Sequence, residues 1–543
     1  FAHNFEAVCD VCPASPASPV SDGQPRRATK SERAAARVRA CSTDAPRRVV
    51  VTAAPDLDEE PLCNRWHQRR RRGLMSTPLL FATADGTLSM NSSSCRQKDR
   101  SAMIAALSNL SIQYNLQAIA IALAFMDNSA STNDPAYVPP YPRSEMEASL
   151  LKSLVFAGAI FGMCTMGYAG DVLGRRDAMA LTNFLAFIGA LGSAAFTWGD
   201  AQTVYRILMA CRFVIGVGVG GKYPLSATMR SEACSSGCES EGRPRHHSST
   251  RVALGFFWQT PGAMLPYAVA LACMQAFGRH GHYHRATASA EFRIVFGLGA
   301  VPALLVMLLC PSQEDSTDYR LARAAAAGGG CKRRQLATAL RHPEHWRRLV
   351  GTGATWLLFD LVYYGTTLNQ PAILDSVFGR AEGLWANALQ NILAAAFGVP
   401  GVLLAIANLR CMRTKRLQHW GFVANAASAA LLVAVALCAP SDRALNFGAF
   451  CLLITCLNWG PNVSTFVLPT EVFPTAIRSS FFGLSAAMGK AGALLGGAVF
   501  GPIIASSGER GLPIVLLLCS AVSIGGVGLT IFFVEPYGHR LCG

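Results

Sequence analysis

The chain has 543 residues, 51% of them apolar and 15% charged, and a formal net charge of +15, where soluble domains carry roughly a quarter charged residues. That composition excludes a disordered polypeptide and an ordinary water-soluble enzyme. The excess of 48 Lys and Arg over 33 Asp and Glu is scattered among long apolar stretches without the basic-aromatic pattern of a nucleic-acid surface, so the expected partner is a lipid bilayer and not nucleic acid.

Residues 1–100 are rich in Ala, Pro, Ser and Arg, with a four-arginine run from Arg69 to Arg72 and no hydrophobic period. They predict a disordered cytoplasmic segment. No cleavable signal peptide is visible, and Met75 and Met90 are each candidate starts. Apolar runs of some twenty residues follow at 102–126, 149–169, 177–198, 204–226, 252–276 and 292–310, and again at 349–369, 385–409, 418–438, 446–469, 480–505 and 512–534. In lipid such lengths favour helices, which satisfy every backbone group internally. The expected fold is an all-α membrane protein of twelve transmembrane helices in two pseudo-symmetric six-helix halves, 101–310 and 349–543, joined by a cytoplasmic central loop, 311–348. An internal echo supports related halves: Gly221 stands eleven residues before Glu232, and Gly460 eleven before Glu471.

With both termini placed in the cytoplasm, the inner loops after the first span hold nineteen Lys and Arg, among them Arg175, Arg176, Arg230, Arg251 and Arg478, against six in the outer loops. This asymmetry supports that orientation, and the plasma membrane is the expected location. Most cysteines outside the N-terminal region fall in apolar spans or inner loops and are expected to be reduced thiols. Cys9-x-x-Cys12, and Cys234-x-x-x-Cys238 followed by His246 and His247, have loosely zinc-like spacings but complete no ligand set. The alternating His280, His282 and His284 read as a solvated turn, so neither a metal nor a cofactor is expected.

Between spans 2 and 3 stands Gly167-Tyr-Ala-Gly-Asp171-Val-Leu-Gly174-Arg175-Arg176. Its glycines allow close helix approach, and Asp171 can pair with a basic residue or a helix N-terminus. The loop resembles the signature of the major facilitator superfamily, to which Arg212 and Gly216-x-Gly218-x-Gly220-Gly221 in span 4 add a buried arginine and a small-residue face. Three further segments resemble the phosphate:proton symporter family of fungi and plants. They are Gly220-Gly-Lys222-Tyr223-Pro running to Glu232, Trp356-x3-Asp360-x3-Tyr364, and Asn458-Trp-Gly-Pro-Asn462 running through Glu471, Pro474 and Arg478 to Lys490.

Independently of that resemblance, Trp356, Asp360 and Tyr364 are four apart and share one helical face. A carboxylate and a lysine at mid-span are costly in lipid and are functional candidates that would neutralise one another, Asp360 with Lys490. The family's pattern puts Tyr223, Gln259, Trp356, Asp360, Tyr364, Asn462 and Lys490 at substrate contacts. Donors together with the Asp360 acceptor suit phosphate, which still carries protons near neutral pH, over sulfate, which only accepts. Asp171, Arg175, Arg176, Arg212, Glu471 and Arg478 are expected to act in gating or conformational change.

The chain departs from the family at Lys222, where proton-coupled members carry an acidic residue, and in span 1, where they carry an Asp and this chain reads Gln113-Tyr114-Asn115. Lys222 has three open placements: paired with Asp360, bound to the anion, or facing the inner surface. Asp360 remains a candidate proton carrier. The resemblance implies a secondary active transporter of inorganic phosphate working by alternating access, coupled to protons, with sodium as the other candidate ion. The alternatives are a glycerophosphodiester or other organic-anion transporter and a non-transporting phosphate sensor.

Overall fold

The computed structural model describes residues 92–127, 138–238, 246–277, 285–327, 332–369, 373 and 383–534. These belong to one compact unit, Leu88–Gly543. Cys9, Cys12, His280, His282 and His284 lie outside them, as do the side chains of Cys234, Cys238, His246 and His247.

Span 1 is Ser92–Asp127, span 2 Glu145–Val172, span 3 Arg175–Ala195 and span 4 Ala201–Cys238. Span 5 comprises His246–Phe257 and Gln259–Ala276, and span 6 Arg285–Leu298 and Ala300–Leu309. Two helices, Thr317–Ala327 and Lys332–Arg341, occupy the segment expected to be a loop. Span 7 is Pro343–Leu368, span 8 Gly383–Asn408 and span 9 Thr414–Cys438. Span 10 comprises Arg443–Asn458 and Pro461–Val472, span 11 is Arg478–Ser506 and span 12 Gly511–Phe533. Span 4 runs farther than expected, because Ser235, Ser236 and Gly237 continue the helix to Cys238.

Three spans are interrupted, and each interruption has a proline behind it. A proline supplies no N–H and its ring crowds the carbonyl four residues earlier. Pro261, Pro302 and Pro461 point back to Phe257, Leu298 and Leu457, at or beside the helix ends Phe257, Leu298 and Asn458. The break in span 10 also uses Gly460, whose φ of 87° suits glycine and whose Cα lies close against Gly421 of span 9. Pro224, Pro266, Pro400, Pro469 and Pro502 leave their helices continuous.

The helices pack as two matching sets of six. Spans 1·5, 1·6, 2·4, 3·4 and 3·6 pair in one half, and 7·11, 7·12, 8·10, 9·10 and 9·12 in the other. The halves meet where span 2 lies along span 11 and span 5 along span 8, a pseudo-two-fold exchange of partners. Glycines set the separations. In span 4, Gly216 and Gly220 rest on the carbonyls of Val155 and Ala159 in span 2, while Gly218 rests on Ala186 of span 3. At the seam between halves, Gly483 of span 11 abuts the Met163 carbonyl and Gly167 the Ser479 carbonyl.

Large apolar side chains such as Phe161, Leu517 and Ile524 point outward, as a lipid-facing surface requires. Among the described residues nine helical spans are long and apolar enough to cross a membrane. Spans 1, 5 and 7 are not among the nine; they carry Asn109, Gln113, Gln259 and Asp360. Nine cysteines in the described residues are free thiols, in keeping with the expectation of reduced cysteines.

Candidate functional site

Between the halves lies a cavity of about 60 Å³, several times the roughly 10–15 Å³ that admits one water. Its wall includes Tyr223, Gln259, Trp356, Asp360, Tyr364, Asn462 and Lys490. The seven residues that the family's pattern puts at substrate contacts are thus brought to one place from spans 4, 5, 7, 10 and 11, without Lys222, the further candidate.

At its centre the Lys490 ammonium donates to Asp360 Oδ2 at 2.8 Å and to the Tyr364 hydroxyl at 3.0 Å. Lys490 Nζ also stands 4.2 Å from the Tyr364 ring centre and 5.0 Å from that of Tyr223, so the aromatic faces add cation–π attraction. Lys490 and Asp360 are both buried, and each is the other's compensation for leaving water. The packing of span 11 on span 7 makes this approach possible. Gly489, Gly492 and Gly496 form a stripe on which a Cβ would meet the Trp356 ring, the Leu357 carbonyl and the Leu361 carbonyl respectively.

The interrupted spans supply other polar groups. Gln259, the first residue after the break in span 5, donates to Asn109 Oδ1 at 2.8 Å. Asn458 and Asn462 flank the break in span 10, and Asn462 Nδ2 donates to Asn458 Oδ1 at 2.9 Å. Irregular backbone at membrane depth is tolerated where it lines a polar cavity.

Sequence reasoning missed part of the wall. Gln113, Gln117, Tyr267, Asn391 and Asn458 line it, and Asn391 brings in span 8, from which no site residue was expected. Gln113 Oε1 is buried without a hydrogen-bond partner, an open acceptor in the wall. Its signal in the sequence was the polar triplet in an apolar span, read only as a departure from a family pattern.

Lys222 is the correction. It lies outside the cavity wall and makes no ion pair with Asp360; it is fully buried and donates to Ser111 Oγ of span 1 at 2.7 Å. Its neighbour Tyr223 takes the cavity-facing position on the helix, which turns Lys222 about 100° away toward span 1.

A second cavity shares Gln117, Tyr267, Thr367 and Asn391 with the first and continues to Asp127, Arg143 and Lys152. The four shared residues stand between the site and the face where span 1 ends. At the opposite face a charged network joins the halves. Arg175, buried at the start of span 3, pairs with Asp171 and with Glu232 Oε1 (3.0 Å) and donates to the Thr475 carbonyl (3.0 Å). Asp171 Oδ2 accepts from the Ser480 backbone N–H (2.8 Å) and hydroxyl (2.6 Å) at the start of span 11. It thus engages both a basic residue and a helix N-terminus.

Arg478 approaches Glu232 at 3.6 Å. Glu471, the counterpart of Glu232, accepts from Ser249 Oγ (2.5 Å) and Thr414 Oγ1 (2.6 Å). The segment after span 6 covers this network: Ser316 Oγ donates to Glu232 (3.2 Å) and Tyr319 to the Asp171 carbonyl (3.2 Å). Burial pushes the Tyr319 phenol up in pKa and keeps it a neutral donor.

Two expected gating residues stand elsewhere. Arg176 directs its half-exposed side chain to Asp177. Arg212 is buried within the first half, donating to the Asn115 carbonyl at 2.7 Å and stacking on Phe296, so it braces spans 1, 4 and 6 and takes no part in the network between halves.

Twelve helices in two pseudo-symmetric halves around a polar mid-membrane cavity define a multi-pass membrane transporter of the major facilitator fold. The family profile described as "Sugar (and other) transporter" matches residues 101–332 and 358–538, and the chain belongs to this family. Among curated proteins it is similar to "Inorganic phosphate transporter PT2" of Toxoplasma gondii, 38% identical over 81% of this chain and 73% of that one. It is also similar to "Inorganic phosphate transporter 1-6" of Oryza sativa subsp. japonica, 28% identical over 75% of this chain and 84% of that one. Among solved structures, the proton:xylose symporter XylE superposes with a TM-score of 0.64 at 18% identity, covering 81% of this chain and 96% of that one. A partially occluded, inward-open form of XylE from E. coli gives 0.58 at 20% identity, covering 82% and 100%. These likenesses establish the fold.

Proposed function

We propose that the protein carries inorganic phosphate across a membrane by alternating access as an ion-coupled symporter. Its relatives named as inorganic phosphate transporters support this reading. The observation that carries it is the composition of the cavity: one ammonium, held by Asp360, among neutral donors, together with the open acceptor Gln113 Oε1. An anion that enters satisfies Lys490 in place of Asp360. If that anion bears a proton, its P–OH group donates to Asp360 or Gln113, a bond sulfate does not offer near neutral pH. Gln259, Trp356, Tyr223, Tyr364 and Asn462 orient it.

The face bearing Arg175 is the cytoplasmic one in this proposal, in line with the bias of Lys and Arg, and the termini lie on that side, with the plasma membrane as the site of action. The arrangement is then outward-facing. Separation of Arg175, Asp171 and Glu232 from the Thr475–Ser480 turn opens the inner route. The cargo here requires no metal or cofactor chemistry.

The test is labelled-phosphate uptake into proteoliposomes under imposed proton or sodium gradients. Wild type is expected to accumulate phosphate, and Lys490→Ala to lose at least about a hundredfold of the rate, the cost of stranding a buried charge. Absence of phosphate flux in folded wild-type protein under every gradient would overturn the proposal. Uptake of an organophosphate that excess phosphate leaves unaffected would replace the cargo.

A further inference from the structure

Lys222 is a charged residue that the binding site does not use. It sits at the depth of Tyr223, fully buried, and its one hydrogen bond is to a neutral hydroxyl, Ser111 Oγ. Three ammonium protons therefore meet a single acceptor. None of the ion pairs among the described residues includes it.

The groups named beside it on spans 1, 2 and 3 are neutral. Span 1 presents Ser111 and Asn115, and Asn115 is itself committed to the Ser111 carbonyl (2.9 Å) and the Gly299 carbonyl of span 6 (3.1 Å). Spans 2 and 3 present Met166 and Thr182 to the adjoining Gly221. Arg212, on Lys222's own span, is held at the Asn115 carbonyl. Across Tyr223 the nearest titratable pair is Asp360 with Lys490, already joined to each other. A full positive charge without a counter-ion is costly at this depth. The cavity wall begins one residue along the chain, at Tyr223, so an anion bound there supplies the missing negative charge through a medium that screens poorly.

We propose that Lys222 carries the coupling proton of the transport cycle, loaded together with the anion because each charge compensates the other. With the cavity empty the side chain rests as an amine against Ser111. When an anion enters, the Nζ lone pair takes one proton from water on the uptake side to give an ammonium. When the anion leaves on the opposite side the ammonium returns that proton to water there, and one proton has crossed with the cargo. The role is a positioning and coupling one, distinct from contact with substrate, and it rests on the phosphate reading above.

The experiment compares two modes of one proteoliposome preparation: exchange of labelled against unlabelled phosphate, which needs no net proton movement, and accumulation driven by a pH gradient. Lys222→Gln is expected to keep exchange within about threefold of wild type and to lose gradient-driven accumulation. Lys222→Arg, which fixes a permanent charge on a larger head group, is expected to lose accumulation as well, so that two folded variants of opposite charge state test the same step. Accumulation to the wild-type ratio by either folded variant overturns the proposal. Wild-type uptake that ignores the pH gradient overturns it too, while leaving the phosphate reading standing; wild type without any phosphate flux removes both.

Discussion

Among the described residues two lysines are fully buried in the bundle, one in each half, and their surroundings differ. Lys490 of span 11 has a carboxylate at 2.8 Å, a phenol at 3.0 Å and two aromatic faces. Lys222 of span 4 has one serine hydroxyl. The second half has built a neutral pair that an incoming anion divides, whereas the first holds an amine that, in the cycle proposed above, becomes a cation only when an anion compensates it from outside the protein. A buried charge with an internal partner is a binding element, and one lacking such a partner is suited to changing its charge.

The largest test of this contrast removes the pair itself. Lys490→Ala alone is expected to cost about 3–5 kcal/mol of stability by stranding Asp360, and the double variant Lys490→Met with Asp360→Leu to recover most of it. Phosphate uptake is expected to stay abolished in both, so thermal unfolding and flux separate. Equal instability of single and double variants would show that the pair is no ordinary buried ion pair. A sharper version gives Lys222 what Lys490 has. Ser111→Asp is expected to fix the ammonium permanently, raising thermal stability while ending pH-driven accumulation; unchanged accumulation would erase the distinction between the two lysines. The smallest change trims one partner: Tyr364→Phe is expected to raise the half-saturation concentration about tenfold, from the loss of roughly 1.5 kcal/mol for a hydrogen bond to a charged group. An unaltered half-saturation would place the phenol outside the binding step.

How much of this was legible in the sequence depends on which physical signal carried it. Apolar runs marked all twelve spans, nine of them strongly enough to qualify on length and apolarity alone among the described residues, because lipid leaves few alternatives to a helix of about twenty residues. The meeting of Asp360 with Lys490 followed from the expense of two opposite charges at mid-span. The breaks in spans 5, 6 and 10 were present in Pro261, Pro302 and Pro461, but so were five prolines that break nothing, and residue type alone does not separate them. Lys222 was left with three placements for a geometric reason: two adjacent residues on a helix point about 100° apart, and only packing against span 1 decides which of Lys222 and Tyr223 faces the cavity. Asn391 was missed because Asn387, Gln390 and Asn391 near the start of span 8 match no motif that would mark them as site residues.

The seam between spans 2 and 11 has a consequence for how little energy the cycle needs. Part of it is closed by Gly167 and Gly483 directly against the Ser479 and Met163 carbonyls, so at those points backbone slides on backbone with no large side chain interlocked. The two arrangements of the halves can then lie close in free energy. Moving a population from 1:99 to 99:1 takes about 5.5 kcal/mol of preferential binding, and a small ion with a handful of charge-assisted contacts supplies energies of that order. A cargo of five heavy atoms can thus tip a bundle of twelve helices.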